Sequence, residues 1–352
     1  DSFIQSCRDA DWAEIERESG LSEAALREAA EVYIAAEKVI GVYGMGLTQH
    51  AHGALNIAML VNLLLLRGNI GRPGAGCCPV RGHSNVQGQR TVGIAEKAHL
   101  VPLDKLKELF GFDPPTEDGM NIVHAAEALF EGKVKAFISL GGNLVRAVPD
   151  EQRMEVAWAA QDLTVMVSTK LNRSHLFPAK QAYILPCLGR FETDAQATGP
   201  QTITSEDSFS MISASIGYRP PVSEGVKSEL AIVAGIAKAT LPPLPALQWD
   251  AWTADYALVR DLIERTYFRD YNKRMYQAGG FYRGNGAHER VWKTPEGKAV
   301  FTTPGALNSV GFQDAPGRYR LITMRSNDQF NTTIYGYSDR LRGLEGSRDI
   351  VL

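Results

Sequence analysis

What the chain lacks removes several chemistries. Its 352 residues hold no HExxH pair, no GxSxG elbow and no GxxxxGK[ST] loop, so zinc-peptidase, serine-hydrolase and P-loop readings find no support. Cysteine is scarce. Cys7, Cys77, Cys78 and Cys187 form no CxxC pair, and the adjacent Cys77 and Cys78 lack the spacing used for tetrahedral zinc or an iron–sulfur cluster. They read as reduced thiols of a cytoplasmic protein. The longest apolar run, 57–66 with Asn62 inside it, falls well short of the roughly 20 residues that cross a bilayer, so no membrane span is expected. Neither charge sign dominates: 37 basic and 40 acidic residues leave a net charge of −3, which gives no footprint for nucleic acid.

What is present is the composition of a globular chain able to bury a core, 44% hydrophobic and 22% charged. Ser22 is placed to cap a helix over 23–37. A strand over 39–43 leads into Gly44, and a helix over 53–67 stops at Gly68, a residue suited to a helix end. Residues 68–93 then carry seven glycines and two prolines with little periodicity. A helix over 121–130, a strand over 134–140, a helix from Asp150 to about 160, and strands over 163–167 and 182–185 follow. Short apolar strands separated by helices predict an α/β fold with a doubly wound parallel sheet. Residues 193–220 read as irregular, 223–239 and 251–268 as helices, 270–317 as loop, and 318–324 as a strand opening a new unit. The expected organisation is the end of one Rossmann-like domain over 1–82, a second α/β cofactor-binding domain over 83–192, a connecting segment over 193–317, and the truncated start of a barrel domain over 318–352. Opening on Asp1 and closing on Ile350-Val351-Leu352, the chain reads as an internal-to-C-terminal fragment.

Chemistry gathers at strand ends. Gly44-Met45-Gly46 after the first strand lets backbone N–H groups approach a phosphate, although a tight βα turn has the same sequence. Gln49 beyond it can hydrogen-bond both donors and acceptors of a heterocycle. Gly142 and Asn143 repeat the pattern after a second strand, Ser168 and Thr169 after a third, and together they sketch a nucleotide rim; helix caps use the same residue types. Arg81, His83, Asn85 and Gln87 stand at alternate positions in the glycine-rich loop. Arg81 offers a forked guanidinium to an oxyanion, with pairing to a buried acid as the alternative. His83 is placed to carry a proton near neutral pH, with capping of the loop as its alternative.

These motifs, namely Gly44-Met45-Gly46-Leu47-Thr48-Gln49-His50, LLLLRGNIGRPGAG at 63–76 and PVRGHSNVQG at 79–88, resemble the large subunit of molybdopterin-dependent oxidoreductases. The nearest branch is formate dehydrogenase-like. The likeness runs on through Ile184-Leu185-Pro186 to Thr323, Arg325 and Gln329. It implies formate dehydrogenase/DMSO reductase-like domains and two molybdopterin guanine dinucleotides around one molybdenum or tungsten. By the same resemblance, Gly44, Met45, Gly46 and Gln49 line one pterin dinucleotide, and Gly142, Asn143, Ser168 and Thr169 line the nucleotide end of one of the two. Thr323, Arg325, Gln329 and Asn331 would belong to the barrel start, and Arg81 would orient a small anionic substrate, with His83 as proton carrier. His83 stands where formate dehydrogenases usually have Gln, and Thr169 replaces a strand-end acid. The family's metal ligand, and a 4Fe-4S cluster where one is present, belong to an N-terminal part outside this sequence. The partners implied are that remainder of the polypeptide and an electron-transfer subunit, and the fragment alone is expected to be inactive. The rival readings are a plain dinucleotide-binding module and a non-catalytic scaffold segment. The former calls for an acid about 20 residues after the first Gly-x-Gly, and 61–67 contains none.

Overall fold

Parallel strands organise both halves of the computed structural model, which describes residues 2–267, 270–275, 279–305, 315–319, 321, 327 and 338–345. Contacts divide the chain into two units: 1–88 with 205–213 and 278–321, and 89–204 with 214–277 and 322–352.

In the first unit the Ser22 side chain accepts from the Ala25 N–H and opens α1, Glu23–Ala35. Next come β1, Ile40–Tyr43, and α2, Gly53–Leu66. A Cβ on Gly41 would sit 3.1 Å from Leu60 Cδ1 and from Leu64 Cδ1, so glycine lets the helix lie close on the strand. Gly68 ends α2 at φ 65°. The adjoining Asn69, 1% exposed, donates its N–H to the Leu64 carbonyl at 2.8 Å and accepts from the Val39 N–H at 3.2 Å. One buried amide thus ties the helix end to the start of β1. The glycine-rich run then forms β2, Gly76–Pro79, parallel to β1 in the register Ile40↔Gly76 to Tyr43↔Pro79.

The second unit contains α3, Leu103–Phe110, and α4, Ile122–Phe130, the latter capped by Asn121. β3, Ala136–Leu140, α5, Glu151–Ala159, β4, Leu163–Ser168, and β5, Gln181–Pro186, complete a parallel sheet in the order β3-β4-β5. Its core joins Ala126 and Leu129 of α4 to Met154 and Trp158 of α5 and Met166 of β4. Phe137 packs against Trp158 at 5.0 Å between ring centroids, and the Trp158 indole N–H donates to the Ser174 carbonyl at 3.1 Å. The opposite face is covered only in part, since Val167 there is buried, whereas Ile138, Leu140 and Tyr183 on that same face are 53–55% exposed. Three helices follow: α6, Glu229–Thr240, α7, Trp249–Ala254, and α8, Tyr256–Thr266.

Several elements differ from the sequence expectation. Residues 68–93 are not all loop: they contain β2 and a short helix, Val86–Thr91. The stretch expected to be irregular holds strands Ile203–Glu206 and Met211–Ser215, and the latter pairs with Phe281–Tyr282 inside the expected 270–317 loop. The helix expected from 223 starts only at Glu229, where Ser228 accepts from the Ala231 N–H and fixes the cap. The helix expected over 251–268 is two helices, because extended Asp255 (φ −147°, ψ 109°) ends one and caps the next. Most of the expected strand at 318–324 lies outside the described residues, and among those residues no closed barrel is formed.

Candidate functional site

In the first unit the candidate residues converge because β1 and β2 are parallel neighbours. Their carboxyl ends lie side by side, and the Val80 N–H donates to the Tyr43 carbonyl at 2.7 Å just beyond the ladder. The Gly44 turn leaves one end and the Arg81 loop leaves the other. A Cβ on Gly44 would lie 3.9 Å from Val80, and one on Gly82 would lie 3.9 Å from the Met45 methyl. Strand ends of a parallel sheet are where α/β proteins collect ligands.

The turn itself is one short helical segment, Met45–Thr48, with Gly44 in extended conformation before it. Gly53 closes it from below, since a Cβ there would come within 2.1 Å of the Thr48 carbonyl oxygen. Above Gly46 nothing lies within 4 Å of a Cβ position, so the space over the turn is open. Met45 and Gln49 are exposed at its rim, and the His50 Nε2 is 3.2 Å from the Gly46 carbonyl.

Arg81 is exposed, and one of its guanidinium nitrogens donates to the Gln87 side-chain oxygen Oε1 at 3.4 Å. No ion pair is formed by Arg81 among the described residues. Burial pushes the Tyr43 phenol up, Cys77 adds to the shift, and the Arg81 guanidinium opposes it. His83 is exposed in the same loop. The loop is held at its far end: Asn85, at φ 67°, accepts from the Glu206 N–H at 2.9 Å. Glu206 is 3% exposed and accepts from the Arg283 Nε at 3.0 Å, while its second carboxylate oxygen has no hydrogen-bond partner among the described residues. Neither Glu206 nor Arg283 stood out in the sequence. They lie 121 and 198 residues beyond Asn85 with no motif linking them.

In the second unit β3 and β4 end together, and the Gly141 N–H donates to the Val167 carbonyl at 2.7 Å. Gly141 and Gly142 have φ of 66° and 80°, a region that favours glycine, and nothing lies within 4 Å of either Cβ position. The Asn172 amide donates to the Gly142 carbonyl at 2.7 Å, and the Ser174 hydroxyl donates to the Asn143 side-chain carbonyl at 3.2 Å. Asn143, 9% exposed, is therefore turned into the fold. The Ser168 hydroxyl donates to the Lys170 carbonyl at 2.7 Å, and Thr169 is exposed. Thr323, Arg325, Gln329 and Asn331 lie outside the described residues. Among the described residues no group of three His, Cys, Asp or Glu side chains is arranged to hold a metal ion, and no helix is long and apolar enough to cross a membrane.

Escherichia coli (strain K12) protein YdeP is 48% identical over 353 residues, covering 100% of this chain and 46% of that protein. The Mycobacterium tuberculosis (strain H37Rv) uncharacterized oxidoreductase Rv2900c is 42% identical over 337 residues, 95% of this chain and 43% of that protein. A putative formate dehydrogenase of Bacillus subtilis, YrhE, is 29% identical over 194 residues, 53% of this chain and 20% of that protein. The chain spans less than half the length of these relatives. Residues 7–179 match the family model described as Molybdopterin oxidoreductase, and the chain belongs to that family.

Proposed function

We propose that the chain is a segment of a molybdenum- or tungsten-dependent, formate dehydrogenase-like oxidoreductase that binds two molybdopterin guanine dinucleotides and acts on a small anionic substrate. The observation that carries this reading is the juxtaposition of the Gly44 turn and the Arg81 loop at the paired carboxyl ends of β1 and β2. The residues present suit the cofactor. Open space over Gly46, Gly141 and Gly142 lets a bulky, phosphate-bearing ligand approach the backbone closely. Exposed Gln49 suits a pterin edge, and Gly44 and Met45 would line the same side. In the second unit the Gly142 backbone and Thr169 would meet the nucleotide end, with Asn143 and Ser168 shaping the turns from within.

The bound metal–pterin would supply two-electron redox chemistry, while the protein orients and stabilises charge. Arg81 holds the substrate anion: its guanidinium carries no carboxylate partner among the described residues, so its fork is available to an oxyanion. His83, exposed on the same loop, takes or returns the proton. The partner that completes the protein is further polypeptide. The relatives are more than twice as long, and parallel sheets are ordinarily covered on both faces, whereas Ile40 and Val42 of β1 and Ile138 and Tyr183 of the larger sheet are at least half exposed. Packing there would complete the doubly wound architecture.

The test is Arg81→Ala in the full-length gene product, assayed with small carboxylates and oxyanions and a viologen dye as electron carrier. Loss of one such charge-stabilising group is expected to lower kcat/KM by about 100-fold or more, with metal content unchanged. Wild-type turnover in the variant refutes the role of Arg81.

A further inference from the structure

The second unit contains a cavity of about 610 Å³ that none of the assignments above uses. Its walls come from α3, α6, α7 and α8, the loop around Gly93, and Leu140 at the end of β3. The volume falls in the range of about 300–1,000 Å³ typical of small-molecule sites. Four aromatic rings line it in contact with one another. Phe110 meets Trp252 edge-on at 6.0 Å, Trp249 meets Trp252 edge-on at 5.2 Å, and Phe112 stacks on Phe110 at 6.5 Å. Leu106, Val233 and Ile263 are among the aliphatic residues that complete the wall.

Polar groups on this wall are few. The Thr266 hydroxyl is spent on the Leu262 carbonyl at 2.7 Å. The Tyr267 hydroxyl lies against Gly93, where a Cβ would come within 2.2 Å of it, and burial pushes the phenol up. Among the described lining residues Glu229 alone carries a formal charge, and that charge is negative. An anion entering the cavity would lose its hydration against an apolar wall and face a carboxylate. An uncharged flat ring system loses little hydration and finds ring edges in the offset and edge-to-face arrangements aromatic pairs prefer.

We propose that this cavity is a binding site for an uncharged, planar aromatic molecule; none of the residues assigned above to the metal cofactor lines it. Charge and shape select the ligand class, and the reading stands whether or not the chain carries molybdenum.

The experiment uses the full-length gene product and a matched pair of dyes: N-phenylnaphthylamine, which is uncharged, and its sulfonated analogue. The uncharged dye is expected to bind at one saturable site, with energy transfer from Trp249 and Trp252. The sulfonated dye is expected to bind about tenfold or more weakly, because its sulfonate must shed hydration against the apolar wall and face Glu229. Val233→Trp, on a partly exposed wall position, is expected to fill the cavity and weaken dye binding by about tenfold or more without lowering Tm. Trp252→Phe preserves an aromatic wall and should reduce the energy transfer while binding persists. Non-saturable binding, no binding to the full-length product, or a sulfonated dye that binds as well as the uncharged one would each overturn the proposal. So would transfer unchanged by Trp252→Phe.

Discussion

The Glu206–Arg283 pair gives a test that separates two causes of instability. Glu206 presents 2% of its side chain to solvent and Arg283 presents 29%. The consequence is an asymmetry. Arg283→Met strands a carboxylate that is almost wholly buried and already has one unpaired oxygen, and breaking a buried pair from that side costs about 3 kcal/mol or more. Glu206→Gln keeps an acceptor for the Arg283 Nε and leaves a guanidinium that water reaches, for a cost of about 1 kcal/mol. The double variant then removes the stranded charge as well, and should be about 2 kcal/mol more stable than Arg283→Met alone. Urea unfolding of the three variants reads these differences, provided the transition is two-state. Because the Glu206 N–H is what Asn85 accepts, Arg283→Met should also speed proteolytic cleavage within 81–87. A double variant no more stable than Arg283→Met would show that the cost arises from lost packing, and the electrostatic reasoning would be refuted.

Two further outcomes follow from local geometry. Gly53→Ala places a methyl within 2.1 Å of the Thr48 carbonyl oxygen and is expected to cost about 2 kcal/mol by overpacking; an unchanged urea midpoint contradicts the close approach. Burial, with Glu229 and Glu192 adding to it, pushes the Cys187 thiol up to about 11, so at pH 8 iodoacetamide should label exposed Cys7 and spare Cys187, as read by peptide mass spectrometry. Since the folded value is raised, the stability this thiol contributes is fully present below its unfolded value near 9.0 and is lost as pH rises towards about 11.

Local signals in the sequence carried far. Ser22 and Asn121 mark helix starts because their side chains meet orphan N–H groups three residues on, and Gly68 marks a helix end because it adopts positive φ. The strand ends at Gly44, Gly141 and Ser168 were legible for the same reason: small and polar residues interrupt apolar runs. What escaped is non-local. β2 has a glycine, two cysteines and a proline, and becomes a strand through its pairing with β1. Asp255 divides an otherwise continuous helical pattern through an extended backbone that its residue type does not dictate. At the candidate site, Arg81 and His83 were visible in the loop. The Glu206–Arg283 support was not, since only folding brings those positions to Asn85. The inward turn of Asn143 depends likewise on Ser174, 31 residues further along the chain.

The most direct measurement is metal and pterin analysis of the full-length gene product purified without oxygen. The account predicts molybdenum or tungsten together with two guanylated pterins for each metal. A correctly folded product from metal-supplied cells that contains neither the metals nor any guanylated pterin would contradict it.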